Sequence, residues 1–201
     1  MNLTKQQRAL VVFTLLYLVG FAIYYLRIEN YEFLWYVAVV GFFLALIVFT
    51  LPRTHFDALI MWGLSLWGLL HMMGGGIRLG DQVLYATPII HLFGSGESFV
   101  LKFDQFVHFF GFGVATLVIY HLLKPYLNER TNWKVMYPLL IMGGMGVGAL
   151  NEIVEFMAVL ALPETGVGGY FNTSLDLVFN ALGAIVATIL IHFRRSRPLK
   201  T

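Results

Sequence analysis

Apolar residues fill this chain in long unbroken runs separated by short polar stretches, and that pattern sets the architecture. Runs long enough for a hydrocarbon layer of about 30 Å predict helices over Leu10–Leu26, Phe33–Leu51, Ala58–Met73, Gln105–Leu123, Val135–Leu162 and Leu175–Phe193. The fold class that follows is an all-α polytopic membrane protein, a six-transmembrane-helix bundle forming a single domain over residues 1–201. Gly74 to Gly76 is expected to bound the short third span. The long fifth span is expected to emerge or bend beyond Glu155, before Pro163. The longest connection, Gly74 to Phe103, contains the apolar piece VLYATPIIHLF, which is too short to cross. It predicts a re-entrant or interfacial segment between helices 3 and 4, over the bundle mouth.

Composition excludes the soluble alternative. The chain is 59% apolar and 12% charged, with mean hydropathy +0.77, whereas soluble domains are about half apolar and a quarter charged. Cysteine is absent, which removes disulfides, thiolate ligands and cysteine nucleophiles. The first span is too long for a signal peptide and is followed by Arg27 rather than a small-residue cleavage site, so it is expected to persist in the mature protein.

Of the 13 Lys and Arg residues, ten fall at the two termini and in the 2–3 and 4–5 loops, and only Arg27, Arg78 and Lys102 fall on the other side. The bias predicts that both termini are cytoplasmic. A net charge of +2 gives no reason to expect nucleic acid. Membrane lipids are the expected surroundings, and the basic loops and tail read as anchors to anionic lipid. The oligomeric state is left open, because glycine-rich faces serve packing within one chain as readily as between chains.

Against this background the polar residues inside or beside the spans are conspicuous: His71, Asp104, His108, Asn151, Glu152, Glu155, Asp176 and Asn180. A charge at the bilayer centre costs about 2.5–3.5 kcal/mol on insertion scales, so such groups face partners or water inside a bundle. Measured from the cytoplasmic end of each span, His71, His108, Glu152 and Asp176 all come out at about 20–26 Å. The spacings i,i+4 (Asp104 and His108), i,i+3 (Glu152 and Glu155) and i,i+4 (Asp176 and Asn180) place each pair on one helix face. Below Glu152, Gly143, Gly144, Gly146 and Gly148 include a GxxxG pair suited to close helix packing.

Four nearby carboxylates need compensation, by divalent cations, by protonation or by cations such as Arg78 and Lys102. Histidine and carboxylate ligands without sulfur suit a divalent metal such as Zn, Mn, Fe or Mg. On that reading His71, Asp104, His108 and Asp176 are metal ligands, Glu152 the general base with Glu155 beside it, and Asn180 and Arg78 substrate-binding groups. None of the spacings is HExxH or the ExxH of di-iron bundles. His55, His121 and His192 are expected to be interfacial or solvated, while His91 lies on the outer segment, within reach of folding over the site.

The segments LHMMGGGIRL, FDQFVHFFGFG, NEIVEF and NTSLDLVFNALGA resemble, in this order, the YjdF-like bacterial inner-membrane proteins and, more distantly, the VanZ-like family. They cover much of residues 70–185, and the first two helices match only in being hydrophobic. The resemblance implies an inner-membrane location and a site made of Asp104 and His108, Glu152 with Glu155, and Asp176 with Asn180. It implies no particular reaction.

Three functional readings therefore stand. The first is a metal-dependent hydrolase or transferase acting on a lipid or envelope component. The second is a protein handling protons or a cationic ligand, in transport or envelope-stress tolerance. The third is a structural assembly module whose polar pairs fix helix register.

Overall fold

The computed structural model describes residues 3–91, 100–162 and 165–195. Pro163, Arg197, Lys200 and the side chain of His91 lie outside the described residues. Six helices are long and apolar enough to cross a membrane: α1 Lys5–Arg27, α2 Tyr31–Thr54, α3 Ala58–Gly76, α4 Phe103–Leu123, α5 Trp133–Ala161 and α6 Tyr170–Arg195. The all-α six-helix expectation holds, with helix ends shifted by up to five residues.

Side-chain caps explain several of the helix starts. Thr4 accepts from the backbone of Gln7, Asn30 from Phe33, Asp57 from Ile60 and Asn132 from Lys134, each satisfying a backbone donor that a helix start leaves free.

One expectation about a helix end is corrected. Gly74 to Gly76 is the last turn of α3, not its boundary. The absent side chains are filled by other rings: a Cβ on Gly75 would meet the Phe33 ring, and one on Gly74 the Tyr85 ring. Hydroxyls from α1 then bond the carbonyls at this helix end, Tyr25 to Met72 and Tyr24 to Gly76, the latter at 2.9 Å. In α5 the helical pattern continues past Glu155 to Ala161. Ala158 packs there with Leu18, Tyr25, Phe33, Tyr36 and Met72, so the last turns have a core to join.

The α3–α4 connection is built from short strands. β1 (Arg78–Leu79) pairs with β2 (Gln82–Val83), and a 3-10 turn at Leu84–Ala86 leads to β3 (Pro88–His91), which pairs with β4 (Val100–Lys102). Gly80, at φ 64°, supplies the left-handed conformation that the tight β1–β2 turn needs. The β-branched residues and Pro88 of this piece disfavour a helix. The backbone N–H of Leu84 bonds Ile77 at 2.8 Å and that of Phe103 bonds Thr87 at 3.0 Å, which fixes the piece to the end of α3 and the start of α4.

Helices α4 and α6 make the tightest contact. A Cβ on Gly183 would collide with the backbone carbonyl of Phe109, and one on Gly113 would lie 3.3 Å from the Gly183 carbonyl oxygen. On α5, the Cβ positions of Gly144 and Gly148 are taken by Thr116 and Asn180. The expected GxxxG packing is thus made by Gly144 and Gly148, whereas Gly146 faces open space.

Gly183→Leu is expected to destabilise the protein by about 1–3 kcal/mol or more, because backbone atoms cannot move aside as a side chain can. Gly146→Ala should leave stability unchanged or slightly raised. Reversible unfolding in detergent measures both, and equal stability of the two variants would refute the close α4–α6 contact.

Candidate functional site

The first turns of α4 carry Asp104, Gln105 and His108, and the α6 stripe opposite carries Asn172, Asp176 and Asn180. Gln105 works in two directions. Its Oε1 accepts from the Lys102 backbone at 3.0 Å, capping α4, while its Nε2 donates to Asp176 Oδ1 at 2.9 Å. Asn172 Nδ2 donates to both Asp104 Oδ2, at 3.0 Å, and Asp176 Oδ2, at 2.7 Å, so one amide ties two carboxylates together. From α5, Asn151 Nδ2 donates to Glu155 Oε1 at 2.7 Å.

His108 stands in the middle. Its Nδ1 lies 3.0 Å from Asn180 Oδ1 and 3.7 Å from Glu152 Oε1, and its Nε2 lies 3.6 Å from Asp104 Oδ1 and 4.0 Å from Glu155 Oε1. Since an amide oxygen only accepts, the Asn180 bond places a ring proton on Nδ1, while Nε2 faces the two carboxylates. Ligand-type atoms lie within 4.8 Å of one another in two sets, Asp104 with His108 and Asp176, and His108 with Glu152 and Glu155. Asp176 and Asn180 are fully enclosed, and Glu152 Oε1 and Asn180 Nδ2 are buried with no hydrogen-bond partner. Among the described residues, no lysine or arginine forms an ion pair with these four carboxylates.

The structure therefore brings together Asp104, His108, Glu152, Glu155, Asp176 and Asn180, from three helices. Two sequence candidates stand elsewhere. His71 belongs to neither ligand set: its Nδ1 is hydrogen-bonded to the Tyr85 hydroxyl, and its ring lies 5.8 Å from that of Phe33 and 5.1 Å from that of Tyr36. Its partners on that face of α3 are aromatic. Desolvation among these rings, with the Asp104 and Glu155 carboxylates adding to it, pushes the Tyr85 hydroxyl well above the usual phenol range, so it stays protonated. Arg78 is exposed on β1 and donates to the Asp81 carbonyl at 3.2 Å.

At the opposite end of the bundle, His121 bonds the Thr54 carbonyl at 2.8 Å and His192 pairs with the Tyr137 hydroxyl at 2.8 Å. His55 is the C-cap of α2.

Sequence reasoning missed Gln105 and Asn172. Gln105 was counted as the apolar span's edge, although it follows Asp104 directly. Asn172 fell before the expected start of α6, yet it lies four residues before Asp176, the spacing that joined Asp176 to Asn180.

A family model described as "Predicted membrane protein (DUF2238)" matches residues 9–197, so the chain belongs to that family, whose function is unknown. The match supports the YjdF-like resemblance and gives no support to the more distant VanZ-like one. No curated protein and no solved structure matches the chain.

Asn172→Leu removes the donor shared by Asp104 and Asp176. A loss of about 1–3 kcal/mol in unfolding free energy is expected, the cost of leaving buried acceptors unmet. Unchanged stability in the same detergent would show that the two carboxylates do not depend on it.

Proposed function

We propose that this membrane protein uses its acid–histidine cluster to bind a divalent cation and, with it, to hydrolyse or transfer a group on a lipid or envelope component. The observation that carries the reading is four carboxylates converging on one imidazole with, among the described residues, no basic side chain paired to them. Their distances support it as well. Groups that bind a cation at about 2.0–2.2 Å stand roughly 3–4 Å apart, and the Nε2 separations from Asp104 and Glu155, 3.6 and 4.0 Å, are longer than hydrogen bonds. The imidazole also carries the supporting bond usual for a metal-binding histidine, from its other nitrogen to a carbonyl oxygen.

In this reading Asp104, His108 and Asp176 hold the cation, while Asn180, Gln105 and Asn172 orient them. A divalent cation supplies Lewis acidity towards an ester or phosphoryl oxygen and acidifies water. Glu152, with Oε1 free of any donor, is placed to accept a proton as general base, and Asn151 holds Glu155 beside it. His71 and Arg78 have no ligand role here. The positive-inside bias supports a topology with both termini cytoplasmic and the cluster towards the outer leaflet, and the YjdF-like resemblance supports a bacterial inner membrane.

Transport is a weaker reading, because the other half of the bundle carries only scattered hydroxyls, several of them bonded to one another or to their own helix. Thr14 Oγ1 and Ser65 Oγ lie 2.7 Å apart, and Thr116 donates to the Phe112 carbonyl of its own helix at 2.7 Å.

Protein purified in detergent without chelators or a metal-affinity column is expected to hold near-stoichiometric divalent metal by elemental analysis. A folded Asp104→Asn, His108→Ala variant should have lost it. Folded native protein that is metal-free and takes up none on titration would end the metal reading. Once a hydrolysable lipid substrate is in hand, Glu152→Gln should keep the metal and lose turnover by roughly 10²–10⁴-fold; turnover at the native rate would remove Glu152 as the base.

A further inference from the structure

A second feature lies on the flank of α1 and α3. A groove of ≈ 440 Å³ is walled by Tyr17, Gly20, Phe21 and Tyr24 of α1 and closed at one end by Gly76 and Arg78. That is within the size range of small-molecule sites, about 300–1,000 Å³. Gly20 forms the notch: nothing lies within 4 Å of where its Cβ would stand. Both tyrosine hydroxyls of the wall are engaged by backbone carbonyls. Tyr17 donates to the Ser65 carbonyl at 3.0 Å and Tyr24 to the Gly76 carbonyl at 2.9 Å, so ring carbon is what remains to line the groove.

The groove ends where the apolar run of α3 ends. Arg78 follows two residues after Gly76, the last residue of the helix, which is headgroup depth for a helix that spans the bilayer. From Tyr24 to Tyr17 the wall runs about 10 Å along α1 towards the bilayer centre. The β1–β2 hairpin fixes Arg78 by pairing it with Val83. Its side chain is exposed, and among the described residues its guanidinium has the Asp81 carbonyl as its one hydrogen-bond acceptor and no carboxylate partner. Most of its five donors are therefore left for a phosphate.

We propose that this groove holds an acyl chain of an anionic phospholipid whose phosphate is bound by Arg78. The charge favours an anionic lipid over a zwitterionic one, because a choline headgroup carries its own cation to offset the phosphate, whereas a glycerol headgroup does not. The site is separate from the acid cluster and rests on none of the metal argument.

The test uses the full chain in vesicles of equal phosphatidylglycerol and phosphatidylcholine, extracted into mild detergent, with retained lipid counted by mass spectrometry. Native protein should retain about fivefold more phosphatidylglycerol than phosphatidylcholine, the ratio expected for one arginine at the headgroup level. Arg78→Glu, on an exposed hairpin, should bring the ratio to one. Gly20→Leu fills open space, so it should fold normally and lower retention of both lipids. Equal retention by native protein, or a preference that survives Arg78→Glu, overturns the phosphate assignment. Native retention in Gly20→Leu, with its melting temperature unchanged, overturns the groove as the chain's seat.

Discussion

The backbone of α6 rests against that of α4 at Gly183, and the site depends on how closely these two helices run. In lipid there is no hydrophobic force to drive apolar helices together, so close approach comes from small residues and polar contacts. From Gly183 the buried stripe of α6 continues one way through Ala184, Ala187 and Thr188, and the other way through Asn180 and Asp176. Asn172 falls four residues further along the same face. The small half of the stripe sets the distance and the polar half uses it. Gly144 and Gly148 let α5 join by the same means, with Asn180 occupying the space at Gly148. The carboxylates are close together because the glycines are.

What the cluster uses as partners separates it from an ordinary buried salt-bridge network. Asp104, Asp176 and Glu155 each accept from an amide: Asn172, Gln105 or Asn151. Amides satisfy lone pairs but bring no charge, so they hold the carboxylates in place without neutralising them. A bundle selected only for stability has cheaper solutions, since buried ionic groups are often replaceable by apolar residues at no loss. Four acids around one imidazole, with neutral groups as supports, is the arrangement on which the proposed cation site rests.

The sequence made the six helices and the acid–histidine cluster legible for one reason: a bilayer admits few polar residues, so their positions carry information. Depth counting brought His108, Glu152 and Asp176 to one level, and the structure joins them. The same counting failed for His71, because depth says nothing about rotation. Its face of α3 points to Phe33, Tyr36 and Tyr85, and Tyr85 comes from a connection whose path no helical period encodes. Gln105 and Asn172 were hidden at helix ends, where hydropathy is the poorest guide to the boundary.

The three glycines at the end of α3 show the limit of reading such residues as punctuation. Gly74 to Gly76 has the composition of a stop, yet the helix continues through it because two aromatic rings occupy the missing side chains and two tyrosines bond the terminal carbonyls. One of those rings belongs to Tyr85, which is hydrogen-bonded to His71 one turn back on the same helix. The α3–α4 connection is thus seated by a glycine, held by a histidine and tied by backbone bonds at Ile77 and Thr87. Asp104 lies in the first turn of the helix that follows directly. The connection secured in this way leads straight into α4, and His71 touches it through Tyr85, outside both sets of ligand-type atoms.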